Sequence, residues 1–598
     1  MDLVYAFPND FIFQSIFAVG RVKNDRVVIH DHSTGQSATV PQLLRDVGKI
    51  KQQLAQQLAA HTLQEMQNGA ETWFGLLIPP GCNFVVGLLA VLALGAGVVP
   101  LSTDILPEEA VYFARTANFR TILYGSSSQG LVEDTASNYR HKHGKSINTL
   151  AIDSLDPGIS LADACILDKD VYLDPSFCPD EASSGYLTFT SGTTGLPKGV
   201  VHTRKFFRTQ VLLGVHDDLT ELSIMPLHWA AGMIALASNI TRGVRIEFCR
   251  SVYSPDWLLN RIKEPGRYRL LGAPAVWTAL EQALLKHVEV SSLCDINPGG
   301  KAESELRERM QYLSAAGSGG SPVPSGVFQF FARILTGCEL TDFYGSTEIG
   351  HIFAYATFKE NLVHGDVCIS PPIHLLVVYE PLTLYQHFLG TLPDHVAAKV
   401  SHEGELYVKS DPMFKEYLSD PGRTRAAVDD DGYFKTGDSG YLKSREFYVE
   451  GRFGFDVIRF DGWKILAREV EDELLRLPHV KECLVLPVAD KLCGQRVGAI
   501  IHIPVSEDSA RVGYSLPDVR STMADNLAIY KLPTVLATTI WPLPRTASGK
   551  MAKQKAQEEF FPKGCLDGQH PELQVWDLEH GQQPRERRAW DWAGINAG

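Results

Sequence analysis

Tyr186-Leu187-Thr188-Phe189-Thr190-Ser191-Gly192-Thr193-Thr194-Gly195-Leu196-Pro197-Lys198-Gly199 is the most informative stretch of this chain. Tyr186 to Thr190 reads as a strand that runs into a loop of glycine and small hydroxyl residues, closed by a lysine. Four of the five residues from Thr190 to Thr194 carry hydroxyls. Glycines let backbone N–H groups turn toward an anion, hydroxyls add donors, and an ammonium neutralises polyphosphate charge. It is not a Walker A loop, because Gly199 rather than Ser or Thr follows Lys198.

Outward from this segment, apolar runs of strand length alternate with helical patterns. Phe74 to Ile78, Thr121 to Tyr124 and Leu270 to Gly272 are examples. This alternation predicts an α/β fold with largely parallel sheets. Ser401 to Tyr448 changes character, with Gly404 to Val408 and Gly432 to Gly437 as short strands separated by turns. Asp429-Asp430-Asp431-Gly432 suits a solvated hairpin tip. After Gly451-Arg452 the alternation restarts on a smaller scale. A helix is expected over Ala467 to Leu477 with Glu469, Glu471 and Asp472 outward, then strands at Cys483 to Val488 and Val497 to Ile503. The expected division is a large N-terminal domain over 1–451, a small α+β C-terminal domain over 452–564 and a polar, irregular extension over 565–598.

A chain of 598 residues is too long for one core at roughly 100–200 residues per domain. Its 44% hydrophobic and 21% charged residues are those of a globular protein. The net charge of -14 argues against nucleic acid as a partner, since phosphate backbones need a basic face. It leaves room for a local basic site for one phosphorylated ligand. The ten cysteines stand singly, without C-x-x-C or zinc spacing, which points to a reducing compartment. The N-terminus has no basic n-region and carries Asp2 and Asp10 ahead of Arg21, so a cytoplasmic location is expected. Phe84 to Leu101 runs eighteen residues without a charge, but Gly95, Gly97 and Pro100 interrupt it. A buried helix feeding a short strand accounts for it better than a membrane span.

Three further segments carry chemistry. Thr341-Asp342-Phe343-Tyr344-Gly345-Ser346-Thr347-Glu348 sets an aromatic beside a carboxylate, suited to stacking on a purine and holding Mg²⁺. In Tyr433-Phe434-Lys435-Thr436-Gly437-Asp438, Asp438 can accept from ribose hydroxyls or simply serve a turn. Pro544-Arg545-Thr546-Ala547-Ser548-Gly549-Lys550 presents a lysine from the small domain.

These four segments, in this order, resemble the core motifs of the acyl-adenylate-forming superfamily: acyl-CoA synthetases, firefly luciferase-like enzymes and the adenylation domains of peptide synthetases. The resemblance spans roughly residues 20 to 562 and is strongest toward the malonyl-CoA synthetase-like branch. That branch is matched by Pro226-Leu227-His228-Trp229-Ala230-Ala231-Gly232, by Tyr344 to Gly350, by Gly404 to Val408 and by Gly451-Arg452-Phe453-Gly454-Phe455-Asp456-Val457-Ile458. It implies an ATP-dependent ligase. A carboxylate attacks the α-phosphate of ATP to give acyl-AMP and pyrophosphate, and a thiol, normally that of coenzyme A, then displaces AMP.

By motif position the resemblance assigns the β- and γ-phosphates to Thr190, Ser191, Gly192, Thr193, Thr194, Gly195 and Lys198. Thr347 is assigned to the α-phosphate and Glu348 to Mg²⁺. Gly317, Ser318, Gly319 and Tyr344 would frame adenine, and Asp438 and Arg452 would bind ribose. Lys550 is the implied adenylation catalyst. A hinge just after Arg452 would let the small domain rotate, with Gly454 as a candidate pivot, and would bring Gly462 and Trp463 to the coenzyme A tunnel. Trp463 serves equally as a packing residue.

The acid pocket is expected to include His228, Trp229 and Phe343. Malonyl-CoA synthetases commonly carry an arginine just before the Tyr-Gly of this motif, and here that position is Phe343. Within the expected class of small carboxylic acids, the change favours a monocarboxylic acid, aliphatic or aromatic, because a buried cation without an anionic partner would be costly. The alternatives are transfer to a separate carrier protein instead of coenzyme A, or a malonyl-CoA synthetase proper with its cation supplied by another basic residue.

Overall fold

The computed structural model describes residues 4–578 apart from 153–166, 168, 191–196, 209–217, 250–253, 291–295, 321–322, 350–353, 358–386, 392–395, 412, 445, 453–454, 461–462, 491–493, 505–513, 525, 528, 547–549 and 567–571. The chain forms two compact units. The first comprises 1–355, 393–397 and 408–434, and the second 356–392, 398–407 and 435–598.

In the first unit, the hydrophobic run from Phe84 folds as the helix Cys82–Ala93, in which every residue except Asn83 is buried. A turn at Gly95, with φ of +88°, reverses the chain into the strand Gly97–Pro100. That strand lies parallel to Trp73–Leu77 and to Ser184–Thr190 in a seven-stranded sheet. No helix among the described residues is long and apolar enough to cross a membrane. Thr121–Tyr124 and Asn148–Ala151 extend the sheet in parallel on one side. On the other, Ser184–Thr190 turns back as the antiparallel strand Lys198–Thr203, which pairs with the short strand Glu416–Tyr417.

A second sheet of eight strands is mostly parallel. Its middle runs Leu340–Tyr344, Leu313–Gly319, Tyr268–Gly272 and Thr220–Ser223. Parallel strands covered on both faces are mostly apolar, and Tyr268–Gly272 is buried throughout, its one charge, Arg269, paired with the buried Glu221. The α/β class with parallel sheets is thus the observed one.

The second unit contains two further sheets. In one, Phe434–Lys443 and Glu446–Arg452 form an antiparallel pair in which Asp438 lies opposite Arg452. In the other, the hairpin Glu482–Asp490 and Gly494–His502 is followed by Val535–Thr539, parallel to Gly494–His502.

Two sequence expectations differ here. The helix begins at Ala467 but ends at Leu474, short of Leu477, which precedes Pro478 and is therefore biased away from helical backbone. Glu471 does not face outward: it is half-buried, and its Oε1 accepts from the Val485 N–H at 2.9 Å. Burial raises its pKa. Beyond 565 the chain is not wholly irregular either. Leu573–Val575 adds an antiparallel strand to Val535–Thr539. The Gln574 side chain bonds the Leu516 N–H and the Tyr514 carbonyl, at 2.6 and 3.0 Å. The indole of Trp576 lies under the Arg520 guanidinium, 4.2 Å from ring centroid to Cζ.

Candidate active site

The strand pair Ser184–Thr190 and Lys198–Thr203 sets Lys198 opposite Thr190 at the mouth of the hydroxyl loop. Ser191, Gly192, Thr193, Thr194 and Gly195 lie outside the described residues. The Lys198 ammonium donates to Glu348 Oε1 at 2.8 Å and to the Tyr417 hydroxyl at 2.9 Å. The Tyr417 hydroxyl in turn donates to the same Glu348 oxygen at 2.8 Å. Burial opposes ionisation of Glu348, but the Lys198 charge and these donors hold its carboxyl below the usual range. Two residues assigned separate jobs from the sequence, the phosphate lysine and the metal carboxylate, are therefore in direct contact.

Thr347, next to Glu348, is fixed through its backbone. His202 Nε2 lies 2.8 Å from the Thr347 carbonyl oxygen. Burial pushes the His202 pKa down to about 4, so the neutral ring donates there at pH 7. His202 was not flagged by sequence, and neither was Tyr417. A histidine within a buried strand and a tyrosine in a two-residue strand carry no local signal. The hydroxyls of Thr190, Ser318 and Ser346 are buried without a hydrogen-bond partner among the described residues. Unspent buried donors of this kind suit a polar ligand.

Gly317, Ser318 and Gly319 end the strand Leu313–Gly319 and register with Thr341, Asp342 and Phe343. A Cβ on Gly317 would stand 2.2 Å from the Phe343 ring and 2.6 Å from Leu271. The glycine is thus demanded by the phenyl ring lying across it. Phe343 packs with Leu271 and Ala235 in a small buried apolar cluster. Ala235 belongs to the helix Ala230–Arg242, whose N-cap is Trp229. His228 precedes it, with the two rings 5.9 Å apart and near perpendicular. Burial lowers the His228 pKa to about 4, Asp104 opposing. Tyr344 is half-buried at the strand end.

Within the second unit, Arg452 Nε lies 3.2 Å from Asp438 Oδ1, and Arg452 Nη1 donates to the Thr436 carbonyl at 2.9 Å. Lys550 lies within range of both charges. Burial and the Arg452 charge lower its pKa, Asp438 opposing. The structure thus pairs Asp438 with Arg452 and sets Lys550 close enough to feel both charges. Gly462 and Gly454 lie outside the described residues, and Trp463 is placed in the strand Trp463–Leu466. Asp456, read from the sequence only as part of the junction after Arg452, makes specific contacts. Its Oδ2 accepts from the Arg452 N–H at 2.7 Å, and it pairs with Lys553. Gly451, at φ of +143°, leaves room for it, since a Cβ there would meet the Asp456 Cβ at 2.4 Å.

Residues 20–418 match the model of the AMP-binding enzyme family, and 469–550 match its C-terminal domain. The chain belongs to the AMP-binding enzyme family. It is an ATP-dependent, AMP-forming ligase with the adenylate-forming fold, a large N-terminal domain and a smaller C-terminal one. An acyl-CoA ligase of Aspergillus oryzae, oryP, is 29% identical over 93% of each chain. The human mitochondrial malonate–CoA ligase ACSF3 is 29% identical over 63% of this chain and 66% of its own. The mitochondrial relative lends no support to the cytoplasmic location expected from the N-terminus. Among solved structures, the anthranilate CoA ligase AuaEII in complex with anthranoyl-AMP shares the fold, with a TM-score of 0.67 and 18% identity over 93% of this chain and 98% of that one.

Proposed function

We propose that this enzyme is an acyl-CoA ligase for a small monocarboxylic acid with an apolar body, acting through an acyl-adenylate. The observation that carries the substrate class is Phe343. It is buried against Gly317, Leu271 and Ala235, at the position where malonyl-CoA synthetases commonly hold an arginine. An apolar wall suits an alkyl or aryl group and offers nothing to a second carboxylate.

The central physical problem of adenylation is that two anions must meet at phosphorus, so positioning and charge stabilisation supply most of the catalysis. Lys198, with the hydroxyls of Thr190 to Thr194, would hold the β- and γ-phosphates, and Thr347 the α-phosphate. Gly317 to Gly319 and Tyr344 would frame adenine, with Asp438 and Arg452 on ribose. The Lys550 ammonium would lie between carboxylate and α-phosphate as charge develops. Glu348 is a buried carboxylate whose Oε1 is held by Lys198 and the Tyr417 hydroxyl. Such a carboxylate suits a Mg²⁺ ion that takes its other ligands from phosphate and water. That ion would neutralise phosphate charge. Domain boundaries at 451/452 and 564/565, and a pivot at Gly454 that presents Gly462 and Trp463 to coenzyme A, complete the proposal.

The test is pyrophosphate release screened over short dicarboxylic, medium-chain, long-chain and aromatic acids, with and without coenzyme A. The expected result is turnover of short or aromatic monocarboxylic acids and a coenzyme A thioester product. Preference for malonate would overturn the substrate class. Transfer only to a holo-carrier protein would overturn the acceptor.

A further inference from the structure

We infer that Tyr417 is a positioning residue that governs the release of Lys198 from Glu348 when nucleotide binds. The inference rests on the reading of Lys198 as the phosphate lysine. The three groups close a triangle, with contacts of 2.8, 2.9 and 2.8 Å converging on Glu348 Oε1 and the Tyr417 hydroxyl. The ammonium also stands over the phenol ring, 4.1 Å from its centroid. Lys198 and Glu348 thus neutralise one another. Two of the three ammonium N–H donors are spent here, and both contacts on Glu348 fall on Oε1. A full turn of either charge toward phosphate or cation therefore requires the pair to loosen, which weakens the counter-charge of a largely buried carboxylate.

Tyr417 is built to bridge that change. Its hydroxyl stays hydrogen-bonded to Glu348 while the ammonium moves, and its ring face offers the ammonium a second seat. Its strand pairs with the one that carries Lys198, with Val200 opposite Tyr417. Its backbone N–H is held by Thr424 Oγ1 at 3.0 Å. Three residues earlier, the Phe414 N–H donates to the Glu348 carbonyl at 2.7 Å, so one segment grips Glu348 by both backbone and side chain.

The test is calorimetric affinity for ATP in EDTA, where no cation can compete for Glu348. Tyr417→Phe keeps the ring but removes the hydroxyl, leaving Glu348 to lean harder on Lys198. It should weaken Mg²⁺-free ATP binding about fivefold to tenfold, with the melting temperature within about 3 °C of wild type. Glu348→Gln frees Lys198 and should tighten the same binding. In the Glu348→Gln background, Tyr417→Phe should change it less than twofold. An unchanged affinity in Tyr417→Phe, or an equal loss in both backgrounds, would overturn the inference. If Tyr417→Phe unfolds, Tyr417→Met carries the same cycle. Failure of the wild type to bind ATP would instead remove the phosphate-lysine reading itself.

Discussion

His202 Nε2 meets the Thr347 carbonyl at 2.8 Å, across 145 residues of chain. The imidazole is fully buried, with Tyr186 stacked at 5.9 Å on one side and Phe206 at 4.8 Å on another. It therefore joins the strand that leaves the phosphate loop to the turn that carries Thr347 and Glu348. His202→Phe would fill the space but leave a buried carbonyl unpaired, a loss of about 1–3 kcal/mol. Urea unfolding should show that loss. His202→Gln, which can still donate, should recover part of it.

The same residue makes stability depend on pH. With the folded pKa near 4 and the unfolded value at 6.5, the unfolded chain binds a proton first as pH falls. Stability from this site is present above pH 6.5 and is lost progressively down to about pH 4. His228, shifted the same way by burial, adds to that window. Equilibrium unfolding from about pH 7.5 to about pH 4.5 should show the decline, and His202→Gln should flatten it.

Substrate choice should follow residue 343. Phe343→Arg would restore a cation to the pocket wall, and kcat/KM for malonate relative to a monocarboxylic acid should rise at least tenfold, at some cost in stability. Gly317→Ala drives a Cβ into the Phe343 ring. It should lower the melting temperature and activity together, with overpacking costs of about 1–3 kcal/mol.

Lys550→Ala should abolish acid-dependent ATP–pyrophosphate exchange yet still convert supplied acyl-AMP to the thioester. Retained exchange would remove Lys550 from the adenylation step. Its lowered pKa has a sign consequence: the ammonium is lost as pH rises through that value. Adenylation should therefore fall earlier on the alkaline side than an ordinary lysine would allow, and any activity kept by Lys550→Arg should persist further.

The strand Leu573–Val575 extends the small unit's sheet, and Trp576 packs onto its core. Truncation after residue 571 should therefore destabilise that unit by several kcal/mol, because it removes a sheet edge, the Gln574 bonds and the Arg520–Trp576 contact. Hydrogen exchange should localise the effect to 535–539 and 514–520.

What could be read from the chain alone was local. A hydroxyl-rich loop before a lysine, runs of strand length and a Gly-Arg junction are patterns within a few residues of one another. They sufficed for the α/β class, for the family and for Lys198, Glu348, Asp438, Arg452 and Lys550 as candidates. What depended on contacts between distant segments had no such signature. Tyr417 matters because its two-residue strand happens to pair with the strand of Lys198, 219 positions away. His202 matters because it meets Thr347, and Gly317 because Phe343 crosses it. Glu471 turned inward for the same kind of reason, since Val485 supplied an N–H from the neighbouring strand. Sequence by itself determined which chemical groups this protein carries and in which kind of fold. Tertiary structure alone decided which of them touch, because hydrogen bonds and buried charges act over about 3–4 Å of space and are blind to separation along the chain.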